Sequence, residues 1–190
     1  MPKVDVSAIF FAGVSILYPL IAAVAVHTVG PLWVVGGLFI ILLLRGVLGL
    51  RQKIPGGLTY GLLAVAVSVA AVALYNRELS VRLYPAFMSA AMLLAFGMTL
   101  VRGPSMIERF ARLIEPNLPE SGVRYTRIVT AIWVAFFALN GAIAVWTALY
   151  APWHTWTLYN GLIAYIAMGV IAGGELLVRP LFQRTADHTP

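Results

Sequence analysis

The sequence contains no cysteine, which excludes disulfides, thiolate nucleophiles and cysteine-ligated metal sites. Charged residues are also scarce, at 11% of the 190 positions, whereas a soluble domain carries roughly 25%. A chain with so little charge lacks the polar surface that a soluble domain presents to water, and 61% of its residues are hydrophobic. The composition therefore favours a protein whose solvent is lipid.

Acidic residues are few as well: 7 Asp and Glu stand against 13 Lys and Arg, which gives a net charge of +6. A basic chain can bind nucleic acid, but here the Lys and Arg lie between long apolar runs, as they do in membrane proteins. We therefore expect the lipid bilayer as the partner of this chain, and no nucleic acid.

Long uncharged runs set the number of membrane spans. The run from 6 to 44 would form about 58 Å of helix, nearly twice a hydrocarbon core of about 30 Å, so it must hold two spans. The segment "HTVGP" at 27–31 divides this run, and "YAPWHTW" at 150–156 divides a second long run. The sequence thus predicts an all-α polytopic membrane protein. Its six transmembrane helices are predicted at about 7–27, 32–50, 58–76, 83–101, 128–149 and 156–177.

The distribution of basic residues predicts the orientation of these spans. Eleven of the 13 Lys and Arg fall on the side that holds both termini, and only Arg77 and Arg82 fall on the other. Because cytoplasmic loops carry the excess of Lys and Arg, both termini should be cytoplasmic. We expect one integral membrane domain over 1–190, with a flexible tail at 180–190.

The loop between the fourth and fifth spans predicts a short amphipathic helix at about 105–115. Ser105 and Glu108 have the spacing of a capping box, and Arg112 lies one turn beyond Glu108. The predicted apolar face comprises Met106, Ile107, Phe110, Leu113 and Ile114, and the polar face comprises Glu108, Arg109, Arg112 and Glu115. The pattern fits a helix that lies flat on the inner leaflet and equally one that packs onto the cytoplasmic ends of the bundle.

Two Asn-Gly pairs lie inside predicted spans, where a side-chain amide needs a hydrogen-bond partner. Asn140 and Asn160 both fall in the predicted outer half of the membrane, and the hairpin between the last two spans brings them close together. The amides can bond across a helix contact that the following glycine permits. They can also line a polar pocket for a head group or a substrate.

Charged side chains near the predicted cytoplasmic surface are further candidates. Arg124 and Arg127 stand at the start of the fifth span, where they can bind lipid phosphate or only set the orientation. Glu175 is the one acid well inside a predicted span, a position that is typical of functional groups, although Arg179 offers it a local partner. The predicted ligand site consists of Arg124, Arg127, Asn140, Asn160 and Glu175.

Catalytic and metal-binding patterns are not visible in the sequence. A zinc site would have to be built from His27 and His154, both in predicted outer loops, and we expect no metal and no cofactor. These absences favour a protein that is not an enzyme and leave a lipid-modifying enzyme as an alternative.

From Pro104 onward the chain resembles a group of bacterial multi-span inner-membrane proteins. The resemblance is carried by "PSMIERFARLIEP", "LPESGVRYTRIVT", "FFALNGAIAVWTALY" and "WTLYNGLIAY", together with Trp133, Glu175 and Arg179. Members of the group are similar to small membrane proteins encoded beside fatty-acid-like and aryl-polyene biosynthesis genes. Some are labelled ketosynthase, although a condensing enzyme needs an active-site cysteine. A more distant likeness to septation protein A lies in Arg127, Trp133, Phe136, Phe137 and Asn140.

The resemblance implies a bacterial inner-membrane setting and a lipid-like product. We therefore predict a non-enzymatic protein that assists the assembly, handling or export of an acyl or polyene product, with anionic lipid as a further candidate ligand. One alternative is a membrane scaffold for envelope or division machinery, which would dock a membrane protein partner through the helix at 105–115. A small transporter or a lipid-modifying enzyme is the other.

Overall fold

A computed structural model describes residues 58–186 without a break. Ahead of that stretch it describes nine single positions, all helical: Thr28, Trp33, Gly36, Gly37, Phe39, Ile40, Ile41, Leu43 and Leu44. Apart from these positions, the predicted spans at 7–27 and 32–50 lie outside the described residues, as does the end of the predicted tail, 187–190.

Six α-helices and one π-helical segment form the continuous stretch. They are α1 (Leu58–Ala73), α2 (Arg77–Val101), α3 (Met106–Ile114), α4 (Glu120–Tyr150), α5 (Trp153–Leu158), the π segment (Tyr159–Ile163) and α6 (Ala164–Ala186). Because no strand occurs among the described residues, the predicted all-α class is confirmed for this part of the chain.

Three helical stretches are long and apolar enough to cross a bilayer: Arg77–Val101, Glu120–Tyr150 and Trp153–Glu175. They correspond to the fourth, fifth and sixth predicted spans. Helix α1 lies where the third span is predicted, and its 16 described residues give about 24 Å of helix. The apolar helices are compatible with a membrane-embedded protein, while the count of six spans stays a prediction.

Helix α2 packs against α1 on one side and against α4 on the other. The larger buried cluster joins α1 and α2 to the end of α4 and to α5, through Leu62, Val65, Ala66, Val69, Val81, Tyr84, Ala91, Ala148 and Trp156. A second cluster of Ala95, Phe96 and Met106 lies further along α2, where Trp133 and Phe137 of α4 pack against it. In lipid such contacts are stabilised by close packing and hydrogen bonds, because there is no hydrophobic driving force between helices.

Local sequence signals set the helix ends. Asn76 caps α2, accepting a hydrogen bond from the backbone N–H of Leu79 at 3.0 Å. Ser105 caps α3 and forms the predicted capping box with Glu108, which is thereby confirmed. Gly103, between α2 and α3, has a φ of 86°, a left-handed conformation that glycine adopts without strain. This turn brings α3 back against α4.

Helices α2 and α4 run antiparallel, which gives the bundle two distinct ends. At one end the side chain of Glu78 accepts a hydrogen bond from Trp153, just beyond α4. We call this the tryptophan end. At the other end the side chain of Arg127 donates to the carbonyl of Leu100 at 2.8 Å, and α3 packs nearby. We call this the α3 end.

Candidate functional site

The Asn140 amide joins three helical elements. Its Nδ2 donates to Ser89 Oγ on α2 at 3.0 Å, and its Oδ1 accepts from the Tyr159 hydroxyl of the π segment at 3.0 Å. Ser89 in turn donates to the carbonyl of Pro85 at 2.9 Å. Asn140 is buried, and both ends of its amide are satisfied by protein groups. The side chain therefore bonds across helix contacts, the first of the two roles that the sequence leaves open.

Gly141 allows this contact to form. A Cβ placed on Gly141 would lie 3.2 Å from the Cβ of Ser89, which is closer than ordinary van der Waals contact. The absence of a side chain at this position lets α4 approach α2 until the amide of the preceding residue reaches Ser89.

Asn160 lies in the π segment. Its side chain bonds to α4, the helix that contains Asn140, but not to Asn140 itself. Its Nδ2 donates to Thr147 Oγ1 at 3.1 Å and to the carbonyl of Trp156 at 3.0 Å. Asn160 is buried, and its Oδ1 has no hydrogen-bond partner among the described residues. The two amides thus belong to one interface, and their side-chain partners Ser89, Tyr159 and Thr147 are not among the predicted site residues.

Arg82 binds the C-terminal end of α4, which lies at the tryptophan end of the bundle. Its Nη2 donates to the carbonyls of Thr147, at 2.9 Å, and of Ala151, the C-cap residue of the helix. The guanidinium lies 5.3 Å from the ring centroid of Trp153. A cation at a helix C-terminus also stabilises the helix dipole. One feature of the sequence points to this role: Arg82 is one of only two basic residues on its predicted side.

The other three predicted ligand residues lie apart from the two amides. Arg124 and Arg127 are exposed in the first turns of α4, at the α3 end. The Tyr125 hydroxyl donates to the backbone carbonyl of Glu175 at 3.3 Å, so Glu175 lies near that end too. Thirteen residues of helix, about 20 Å, separate Arg127 from Asn140. The five candidates therefore do not converge on one site. The side chain of Arg179, the predicted partner of Glu175, lies outside the described residues.

Helix α3 packs onto the bundle through one side and leaves another side exposed. Met106 is fully buried, and the backbone N–H of Ile107 donates to Thr130 Oγ1 of α4 at 3.2 Å. Phe110 and Leu113 are exposed at 39% and 72%. The helix thus packs onto the bundle through α4, which is one of the two arrangements expected from the sequence. It also leaves apolar side chains exposed.

Glu108 departs from the predicted polar face of α3, because it is buried. Its carboxylate accepts from the backbone N–H of Ser105 and from Arg112, whose Nη2 lies 2.8 Å away. These partners supply the hydrogen bonds that a buried carboxylate requires.

An apolar groove of about 600 Å³ lies between α1 and α2. Its α1 wall includes Gly61, Ala64, Val65 and Ser68, and its α2 wall includes Phe87, Ala90, Ala91, Leu94, Ala95 and Met98. Arg102 and Arg109 line the same groove at the α3 end, and none of its described lining residues is acidic. Arg109 is predicted on the polar face of the amphipathic helix, and Arg102 is not among the predicted site residues. A groove between helices gives no periodic signal of its own.

Metal-ligand side chains do not cluster in the described part of the chain, where no group of three His, Asp or Glu could hold an ion. His154 is exposed, and His27, its proposed partner, lies outside the described residues.

Comparisons of the chain with protein-family models, with curated proteins and with solved structures found no match.

Proposed function

We propose that this protein assists the assembly, handling or export of a lipid-like product, and that it does so by holding the acyl or polyene chain of that product without catalysing a reaction. The observation that carries the proposal is the apolar groove between α1 and α2. The setting we propose is the bacterial inner membrane, with both termini in the cytoplasm, as the basic residues predict.

The dimensions of the groove suit a single hydrocarbon chain. From Phe87 to Arg102 it follows about 22 Å of α2, at 1.5 Å per residue. One leaflet contributes about half of a 30 Å hydrocarbon core, so the groove exceeds the depth of one leaflet.

Small side chains in the groove walls let a chain approach the backbone closely. Gly61 and Ala64 face the groove from α1, and Ala90 and Ala91 face it from α2. In a bilayer, moving a hydrocarbon chain from the surrounding lipid into the groove gives no hydrophobic free energy. Its preference for the groove must therefore come from close contact along both walls and from polar groups at the α3 end.

The test fills the groove without touching the buried clusters. Ala64 and Ala90 are both exposed to the groove, so Ala64→Phe and Ala90→Phe should abolish co-purification of acyl or polyene compounds, measured by mass spectrometry. Ala135→Phe, at an exposed position of α4 outside the groove, is the matched control. Equal amounts of these compounds in the groove variants and the control would refute the proposal.

A scaffold function is the second candidate, and the exposed Phe110 and Leu113 of α3 favour it. If a partner protein docks there, Phe110→Ser with Leu113→Ser should remove the partner from the purified protein and leave the groove ligand in place. Retention of the partner by this variant would count against a scaffold. Charge reversal at Arg112 is less informative, because Arg112 pairs with Glu108 inside α3.

A further inference from the structure

The α3 end of the groove carries positive charge that no described carboxylate neutralises. Arg102 and Arg109 line the groove there, and neither forms an ion pair within the described part of the chain. The nearby Glu108 is already engaged by Arg112 and by the backbone of Ser105. An apolar groove that ends in two unneutralised guanidinium groups is complementary to an amphiphile with an anionic head.

The turn between α2 and α3 holds Arg109 in place. Its Nε donates to the carbonyl of Pro104 at 3.0 Å, and its Nη2 lies 3.6 Å from where a Cβ on Gly103 would stand. The Nε bond fixes the plane of the guanidinium, and no described acceptor takes the N–H groups of its two terminal nitrogens. These are the groups that bind a phosphate in the two-pronged geometry of arginine.

Arg102 approaches the same place from the end of α2. It is the C-cap residue of that helix, its backbone N–H bonds to the carbonyl of Met98 at 3.0 Å, and its exposed side chain bonds to no described residue. The two arginines therefore come from different elements on either side of one fixed turn.

We propose that Arg102 and Arg109 bind the phosphate of an anionic phospholipid of the membrane, one acyl chain of which lies in the groove. The inference rests on the proposed function, because it requires that the groove hold a hydrocarbon chain. It adds the class of the head group and the direction in which the ligand lies, with its head at the α3 end. Arg124 and Arg127, the arginines that the sequence favoured for this role, do not line the groove.

The test compares an anionic and a zwitterionic phospholipid, in the second of which a choline cation neutralises the charge of the phosphate. The full chain, purified in detergent and delipidated, is titrated with phosphatidylglycerol and with phosphatidylcholine of identical acyl chains, and the dissociation constants are measured by native mass spectrometry. We expect phosphatidylglycerol to bind about 30-fold more tightly, if each arginine contributes as much as a basic residue at an anionic membrane surface.

Arginine variants identify the source of this preference. Arg102→Gln together with Arg109→Gln should remove the preference, whereas Arg124→Gln, which replaces an exposed arginine at the same end, should preserve it. Arg102→Gln alone disturbs no hydrogen bond among the described residues, so it is expected to fold, and it should reduce the preference about fivefold. If the double variant and the single Arg102→Gln variant both keep the native preference for phosphatidylglycerol, the proposal is overturned.

Two further results separate the head-group site from the groove. If Ala64→Phe and Ala90→Phe abolish binding of both phospholipids while the arginine variants bind like the native chain, the groove stands and the head-group site falls. If the arginine variants lose the preference while the groove variants bind normally, the chain-binding function falls. Inorganic phosphate is the remaining probe: if it binds as tightly as phosphatidylglycerol, the acyl chain contributes nothing and the proposal is overturned.

Discussion

Asn140 shows how one polar side chain is accommodated inside the bundle. An amide surrounded by hydrocarbon must bond to protein, and Asn140 bonds to Ser89 on one side and Tyr159 on the other. Ser89 keeps its own bond to the Pro85 carbonyl, so the loss of Asn140 leaves the Tyr159 hydroxyl as the group most in need of a partner. The arrangement points to stabilisation of the bundle, since Asn140 does not line the groove.

The variant Asn140→Leu should therefore be less stable than the native chain and should still bind the groove ligand. Interhelical amide bonds contribute about 0.6 to 2 kcal/mol, and this is the expected loss in the free energy of unfolding, measured by denaturant titration in detergent. Tyr159→Phe, which removes one of the two bonds, should lose less. Asn117→Leu is the control, because Asn117 is exposed in the loop before α4. Native stability in Asn140→Leu, with loss of the groove ligand, would instead assign the amide to a binding pocket.

At the scale of single helices, α3 is the element that the sequence predicts best. The spacing of Ser105, Glu108 and Arg112 predicts a capping box and an ion pair, and both are confirmed. Both depend on side chains three or four residues apart, which a helix brings together without help from the rest of the fold.

The capping box should control the local stability of α3. Ser105→Ala removes the side-chain acceptor for the Glu108 N–H, which costs about 1 kcal/mol at a typical N-cap. We expect amide hydrogen exchange in Met106–Ile114 to accelerate about fivefold, with exchange in α4 unchanged. Ser121→Ala is the control, because Ser121 is exposed in the first turn of α4. Equal exchange in the two variants would show that α3 is held by its contact with α4 alone.

Other features of the elements could not be predicted, because they depend on neighbouring helices. The π segment that contains Asn160 leaves no periodic signal in the sequence, because it is defined by backbone hydrogen bonds such as the one from the Ala164 N–H to the Tyr159 carbonyl. Which side of α3 faces α4 depends on the Gly103 turn, so the apolar pattern gives no reason to expect Leu113 to be exposed and Glu108 buried. The groove likewise arises from two helices together, and neither wall identifies it alone.

At the scale of the whole molecule, the contacts place four connecting segments at two ends. The turn at Tyr75 and the break before α5 lie at the tryptophan end, because Glu78 bonds to Trp153 and Arg82 to Ala151. The loops before and after α3 lie at the opposite end, where Arg127 bonds to Leu100. This pairing of ends follows from the described helices. Which end faces the cytoplasm follows only from the distribution of arginines.

A chain without cysteine allows this orientation to be tested with single introduced thiols. A membrane-impermeant thiol reagent, applied to cells with a permeable outer envelope and an intact inner membrane, should label Tyr75→Cys and His154→Cys, both at exposed positions of the tryptophan end. Glu115→Cys, exposed after α3, and Lys53→Cys should react only after the inner membrane is opened, because the basic segments are predicted to be cytoplasmic. The cysteine-free chain is the control for background labelling.

Labelling of Glu115→Cys but not Tyr75→Cys in intact cells would show the opposite orientation. If Lys53→Cys and Glu115→Cys react from opposite sides of the membrane, an odd number of spans must lie between them. That result would contradict the predicted topology of six spans with both termini in the cytoplasm.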